Sequence, residues 1–144
     1  MKIQELSFTP AVQVDQSLSP WEVAFAMRKN NADCVVVTCT TGESARARPV
    51  GVVTERDLAI FMLDDIGDAS DITVGELLNG ELATIDERGS ASQAIELMNR
   101  YNVHRLPVTR SDGSLTGILT VDDLLRILAQ ANAQAVDWPL QRAG

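Results

Sequence analysis

Apolar residues along this chain keep two different rhythms, and the rhythms alternate in the same order twice. Behind Ser19-Pro20-Trp21-Glu22, the residues Val23, Ala26 and Met27 recur at helical spacing, and Ala94, Leu97, Met98 and Tyr101 do so behind Ser90-Ala91-Ser92-Gln93. Both patterns predict a helix that buries one stripe. Each opens with a serine cap whose Glu or Gln partner can bond back to the cap amide, and Pro20 presets the backbone of a first helical position. Cys34-Val35-Val36-Val37-Thr38 and Leu106-Pro107-Val108-Thr109 are short aliphatic runs between polar segments, which predicts strands. Ser111-Asp112-Gly113-Ser114 is a turn that sends the chain back through Leu115–Thr120, so the second copy contains a hairpin. Pro107 has no backbone donor, and its strand is expected either at a sheet edge or with that position facing no neighbour.

The alternation repeats because the chain is a duplication. Gly51-Val52-Val53-Thr54-Glu55-Arg56-Asp57-Leu58 returns as Gly117-Ile118-Leu119-Thr120-Val121-Asp122-Asp123-Leu124. A shift of 71 residues also lays Ile3 on Val74, Val14 on Ile85, Met27 on Met98, Asn31 on Asn102 and Val37 on Val108. The shift drops to 66 at the glycine motif, so the first copy carries an insertion between Val37 and Gly51, as a surface loop tolerates. The expected fold is α/β, in the α+β sense. Two pseudo-symmetric β-α-β-β-α repeats, each with a short leading helix, pack through their sheets. The expected bounds are 1–63 for the first repeat, 64–72 for an acidic linker, 73–130 for the second repeat and 131–144 for a tail. The tail starts helical, stops at Pro139 and has Val136 and Trp138 to cover an apolar edge. Either repeat alone would bury too little surface for more than marginal stability.

Composition narrows the chemistry. A net charge of -8 argues against a nucleic-acid backbone as partner, since that partner demands a concentrated basic face. Arg46 and Arg48, together in the inserted loop, are read as solvated. No apolar run is long enough for a signal peptide or a membrane span, and cytoplasmic residence is the expectation. Cys34 and Cys39 sit at odd spacing on one strand, which points them to opposite faces and makes them buried thiols rather than a disulfide. Catalysis is not expected. The single histidine, His104, has no nucleophile in a recognisable setting, no metal-ligand spacing occurs, and neither a Walker loop nor a dinucleotide glycine fingerprint is present.

The duplicated Thr-x-x-Asp has two readings. Thr54 and Thr120 each follow a strand and precede a helical pattern, so Asp57 and Asp123 can complete caps without any ligand. The same geometry leaves a positive helix end for a phosphate and a carboxylate for a vicinal diol, which together describe a nucleotide site. His104 is likewise either a surface residue or a ligand contact.

With these motifs the chain resembles the cystathionine-beta-synthase (CBS) domain family, in the tandem arrangement called a Bateman module, here expected to stand alone. The resemblance covers both repeats and rests on Gly-h-h-Thr-x-x-Asp-Leu twice, where h is aliphatic, together with Val103-His104-Arg105-Leu106-Pro107-Val108. It implies a regulatory module with two clefts between the sheets and an adenosine ligand: AMP, ADP, ATP or S-adenosylmethionine. It also implies a homodimer acting on a protein partner. By this resemblance Asp57 and Asp123 hold ribose hydroxyls and Thr54 and Thr120 touch phosphate or ribose. Thr84, Pro107 and Val108 border the adenine, and His104 and Arg105 supply cations. The copies differ here: Gln13 stands where the second has Thr84, and Asp33 with Cys34 where it has His104 with Arg105. The pocket containing Asp123 and Arg105 is therefore the expected anion site, with Arg56 and Arg126 near the helix starts. Apolar stripes of Leu58, Phe61 and Met62 and of Leu124, Leu125 and Leu128 are the expected dimer surface. The alternative is a ligand-free dimerisation module that works through its helices.

Overall fold

Each repeat folds as a three-stranded sheet backed by two helices. The computed structural model describes residues 2–5, 10–40, 46–64, 71–78 and 80–135. Most of the linker and the end of the tail, with Val136, Trp138 and Pro139, lie outside these residues. In the first repeat β1 (Gln13–Asp15), α1 (Pro20–Lys29), β2 (Cys34–Cys39), β3 (Arg48–Thr54) and α2 (Glu55–Asp64) follow in order. The second repeats them as β4 (Ile85–Asp86), α3 (Ala91–Tyr101), β5 (Arg105–Thr109), β6 (Leu115–Thr120) and α4 (Val121–Ala135). The middle strands, β2 and β5, run parallel to the first of each sheet and antiparallel to the last.

Both serine caps close reciprocally. Ser19 Oγ accepts from the Glu22 amide at 3.2 Å while Glu22 accepts from the Ser19 amide, and Ser90 with Gln93 does the same. Behind them Val23 and Met27, and Ala94 and Met98, enter the cores of their repeats. Tyr101, expected in that stripe, lies largely exposed at the end of α3. The strands supply the rest of each core by alternation. Val35 and Val37 point to the helices, whereas Val36 between them points the other way and meets Leu115 and Ile118 of the second repeat. That cluster joins the two sheets.

Leu58 and Leu124 also belong to the cores, which corrects their assignment to an outer dimer stripe. Leu125 and Leu128 of α4 are exposed, together with Trp21 and Phe25 of α1 and Ile60 and Leu63 of α2.

The two leading turns trade places. The 3-10 turn Ile3–Glu5 precedes the first repeat but packs on the second, where Ile3 is fully buried among Ile85, Met98 and Leu119. Its amides, from Ile3 and Gln4, donate to the Gly89 and Glu87 carbonyls at 2.7 Å. The turn Val74–Leu77 in return packs on the first, with Val74 among Val14, Val23 and Val53 and its amide on the Leu18 carbonyl at 2.6 Å. Periodicity is blind to this exchange, because each turn presents one β-branched aliphatic residue that suits either core.

Pro107 realises the second of its two options. β5 is the middle strand, not an edge, but β4 pairs with it only from Val108 onward. At the equivalent place in the first repeat, the Val36 amide donates to the Val12 carbonyl at 2.8 Å. Proline cannot make that bond to Ala83, so β4 starts later than β1.

The inserted loop ends on the other repeat. Arg46 pairs with Asp112 at 2.9 Å, and Arg48 packs against Gly113, whose φ of +85° shapes the turn. Both arginines are exposed, as expected, and they also bridge to the second repeat. Cys34 and Cys39 are both free thiols and only half-buried.

Candidate functional site

The two duplicated helix starts form first as caps. Thr54 Oγ1 accepts from the Asp57 amide at 3.2 Å and Asp57 Oδ2 accepts from the Thr54 amide at 2.9 Å. Thr120 and Asp123 make the same pair at 3.1 and 2.9 Å. The next amide ties each helix to the middle strand of its own repeat, Glu55 to the Asp33 carbonyl and Val121 to the His104 carbonyl. Each helix start then faces the opposite repeat, and two clefts result.

The larger cleft, of about 700 Å³, sets Thr120, Val121 and Asp122 against Pro10–Val12 and Asp33, Cys34 and Val36 of the first repeat, with His104 and Arg105 on its wall. The smaller, of about 490 Å³, sets Val50–Val53 and Asp57 against Leu78, Leu82, Ala83, Val103 and Arg105. Gly51 allows this closeness. A Cβ there would lie 2.4 Å from the Leu78 side chain, so only glycine lets that leucine close the cleft without displacement.

Sequence-equivalent residues end in unequal surroundings. Asp57 is exposed and lines its cleft, and among the described residues no donor reaches its Oδ1. Asp123 is 3% exposed, its Oδ1 is bound to Arg126 at 2.5 Å, and it lines neither cleft. Arg126 is thereby committed to Asp123, and Arg56 also lines neither cleft. Thr84 is half-buried beside Ala83, on the Asp57 side. Pro107 and Val108 are fully buried, so they shape the sheet behind the clefts and offer backbone rather than side chain. His104 is exposed in the larger cleft. The expected anion pocket containing Asp123 and Arg105 is not formed: Arg105 lines the larger cleft beside Thr120, but Asp123 is buried against Arg126 and does not reach it.

Arg105 lies between the clefts, and its guanidinium donates to Asp33 Oδ2 at 2.8 Å. The wall residues Leu78, Leu82 and Ala83 were not singled out from sequence, and Asp33 was noted only as a charge that disfavours phosphate, not as a partner of Arg105. The only signal for Asp33 was that it stands opposite a cation in the duplication. Cys34 flanks this ion pair. Burial pushes its thiol up, Arg105 opposes that and Asp33 adds to it, so the thiol stays protonated and is a poor nucleophile or metal ligand. Among the described residues no group of three His, Cys, Asp or Glu side chains could hold a metal, and no helix is long and apolar enough to cross a membrane.

Comparison with known proteins decides the family, since the CBS domain profile matches residues 3–64 and again 74–130. The chain belongs to the CBS domain family. A CBS domain protein from Pyrobaculum aerophilum complexed with AMP is 27% identical, with a TM-score of 0.72 over 90% of this CBS chain and 99% of that one. The cytosolic domain of the Mg2+ channel MgtE in complex with ATP is also 27% identical, with a TM-score of 0.63, covering 81% of this chain and 44% of that. An uncharacterized protein of Methanopyrus kandleri is 27% identical over 106 residues, 74% of this chain. The match spans 52% of that relative's length. These likenesses cover both CBS repeats.

Proposed function

We propose that this CBS pair is a cytoplasmic regulatory module that holds an adenosine-type ligand in the Asp57 cleft and senses it without turning it over. The observation that carries this reading is the Asp57 carboxylate. One oxygen completes the helix cap, and the other is open to a cleft with aliphatic walls. Such a carboxylate suits a ribose diol, each charge-assisted bond contributing about 1.5–3 kcal/mol. Val52, Leu78, Leu82 and Val103 give that cleft apolar walls that suit a flat base, and the Ala83 carbonyl, to which Pro107 cannot donate, can accept from an exocyclic amine. AMP in the Pyrobaculum relative and ATP in the channel domain support this ligand class.

Charge narrows the choice. Among the described residues, Asp57, Glu76 and Glu81 line the smaller cleft against Arg105 alone. A triphosphate meets more repulsion there than the single phosphate of AMP, and the sulfonium of S-adenosylmethionine is attracted. Thermal shift and calorimetry with AMP, ADP, ATP and S-adenosylmethionine test the proposal. AMP and S-adenosylmethionine should stabilise the protein and ATP should do so least, while Asp57→Asn should weaken the best ligand about tenfold or more. No stabilisation by any of the four at millimolar concentration would sink it.

The exposed Trp21, Phe25, Leu63, Leu125 and Leu128 favour a second element, a homodimer through the helices that presents the ligand state to a protein partner. A monomer by sedimentation at micromolar concentration would remove that element and leave the ligand reading standing.

A further inference from the structure

Arg105 is the one lysine or arginine among the described residues that line the clefts, and it lines both. Its bond to Asp33 crosses the boundary between repeats and sits in the larger cleft. The two side chains are 30% and 65% exposed, so water competes with the pair and the pair opens at little cost. Carboxylates dominate everything else. Asp33 and Asp122 line the larger cleft, and Asp57, Glu76 and Glu81 line the smaller. A phosphate entering either one meets several like charges and a single cation.

We propose that Arg105 is one cation shared by the two clefts and held in reserve by Asp33, so that only one cleft at a time accepts a nucleotide phosphate. This rests on the reading of the clefts as adenosine sites and adds their regulation. A phosphate in the Asp57 cleft draws the guanidinium away from Asp33. The larger cleft then faces Asp33 and Asp122 without a counter-charge, and it rejects a second phosphate while still admitting uncharged adenosine or a cationic sulfonium nucleoside. A phosphate that takes Arg105 within the larger cleft leaves the smaller one equally unbalanced. The coupling is reciprocal, as linkage requires. Asp33 acts here as a positioning residue that sets how readily the cation is released.

The test is calorimetry on the full chain at pH 8, with AMP and with adenosine. In the parent, AMP should fill one site per chain and a second only about a hundredfold more weakly, while adenosine fills both without that split. Asp33→Asn should tighten AMP about two- to fivefold and leave adenosine unchanged. Arg105→Gln should erase the advantage of AMP over adenosine. Melting temperatures close to the parent's would verify that both variants fold, as their exposed sites predict. Equal AMP constants at both sites, adenosine stopping at one per chain, or an Asp33→Asn effect shared by both ligands would overturn the shared cation while the adenosine reading survives. Binding of neither ligand by any variant overturns both together, a distinct signature.

Discussion

Asp57 and Asp123 hold the same place in the duplicated motif and make the same cap, yet one is open to a cleft and the other is shut inside the protein. The difference is not in the motif. Arg126 reaches back one turn to Asp123, while the residue at the same place in the first repeat is Ile60, which has no charge to offer. A duplicated local interaction survives in both repeats because the backbone near it is enough to make it. The long-range surroundings are free to diverge, and here they have done so on the faces that line the clefts.

The strongest way to break the pairing of the two repeats is through the exchanged turns. Ile3→Ala should cost about 2–4 kcal/mol, as for other fully buried large side chains. Hydrogen exchange should rise in β4 and α3 of the second repeat, not beside Ile3 in sequence. Val74→Ala should loosen β1 and α1 of the first by a smaller amount. Protection lost in the repeat that each turn precedes would mean that the exchange is wrong.

A sharper and smaller effect separates the two aspartates. Asp123→Asn keeps one oxygen to accept the Thr120 amide but removes the buried charge that holds Arg126, for a loss of about 1–2 kcal/mol in urea unfolding. Asp57→Asn keeps the exposed cap as well, should cost less than about 1 kcal/mol, and should show its main effect in ligand affinity. Equal losses of stability from the two changes would contradict the burial difference.

The smallest effect concerns the clamp between Arg46 and Asp112. Bonds from the Ser114 hydroxyl and amide, with Arg46 nearby, hold the Asp112 carboxyl at about 2, below its ordinary 3.8. A folded-state value below the unfolded one means a contribution fully present above pH 3.8 and lost as the pH falls through about 2. Carboxyl NMR should show Asp112 still charged at pH 3, and Asp112→Asn should flatten the stability profile only in that acid range. An Asp112 that titrates at the ordinary value would remove the clamp.

Much of this was legible in the sequence. The capping boxes at Ser19 and Ser90, the helix starts at Thr54 and Thr120, and the alternation that turns Val36 away from Val35 and Val37 are local, and local chemistry writes itself into short spacings. The tandem repeats and the clefts between their sheets followed from the duplication and the resemblance. Three features were not legible, for one shared reason. The traded turns, the docking of Arg46 and Arg48 on the second repeat, and the pairing of Arg105 with Asp33 all join residues from different repeats. Their sequence separations carry no periodic trace.

The traded turns also set an order of events during synthesis. The segment around Ile3 leaves the ribosome before β4 and α3, and its docking slot is not complete until roughly a hundred further residues have emerged. The first repeat, for its part, waits for Val74 before its slot is filled. What is made first is thus fastened late, and the fastening of each half certifies that the other has been made.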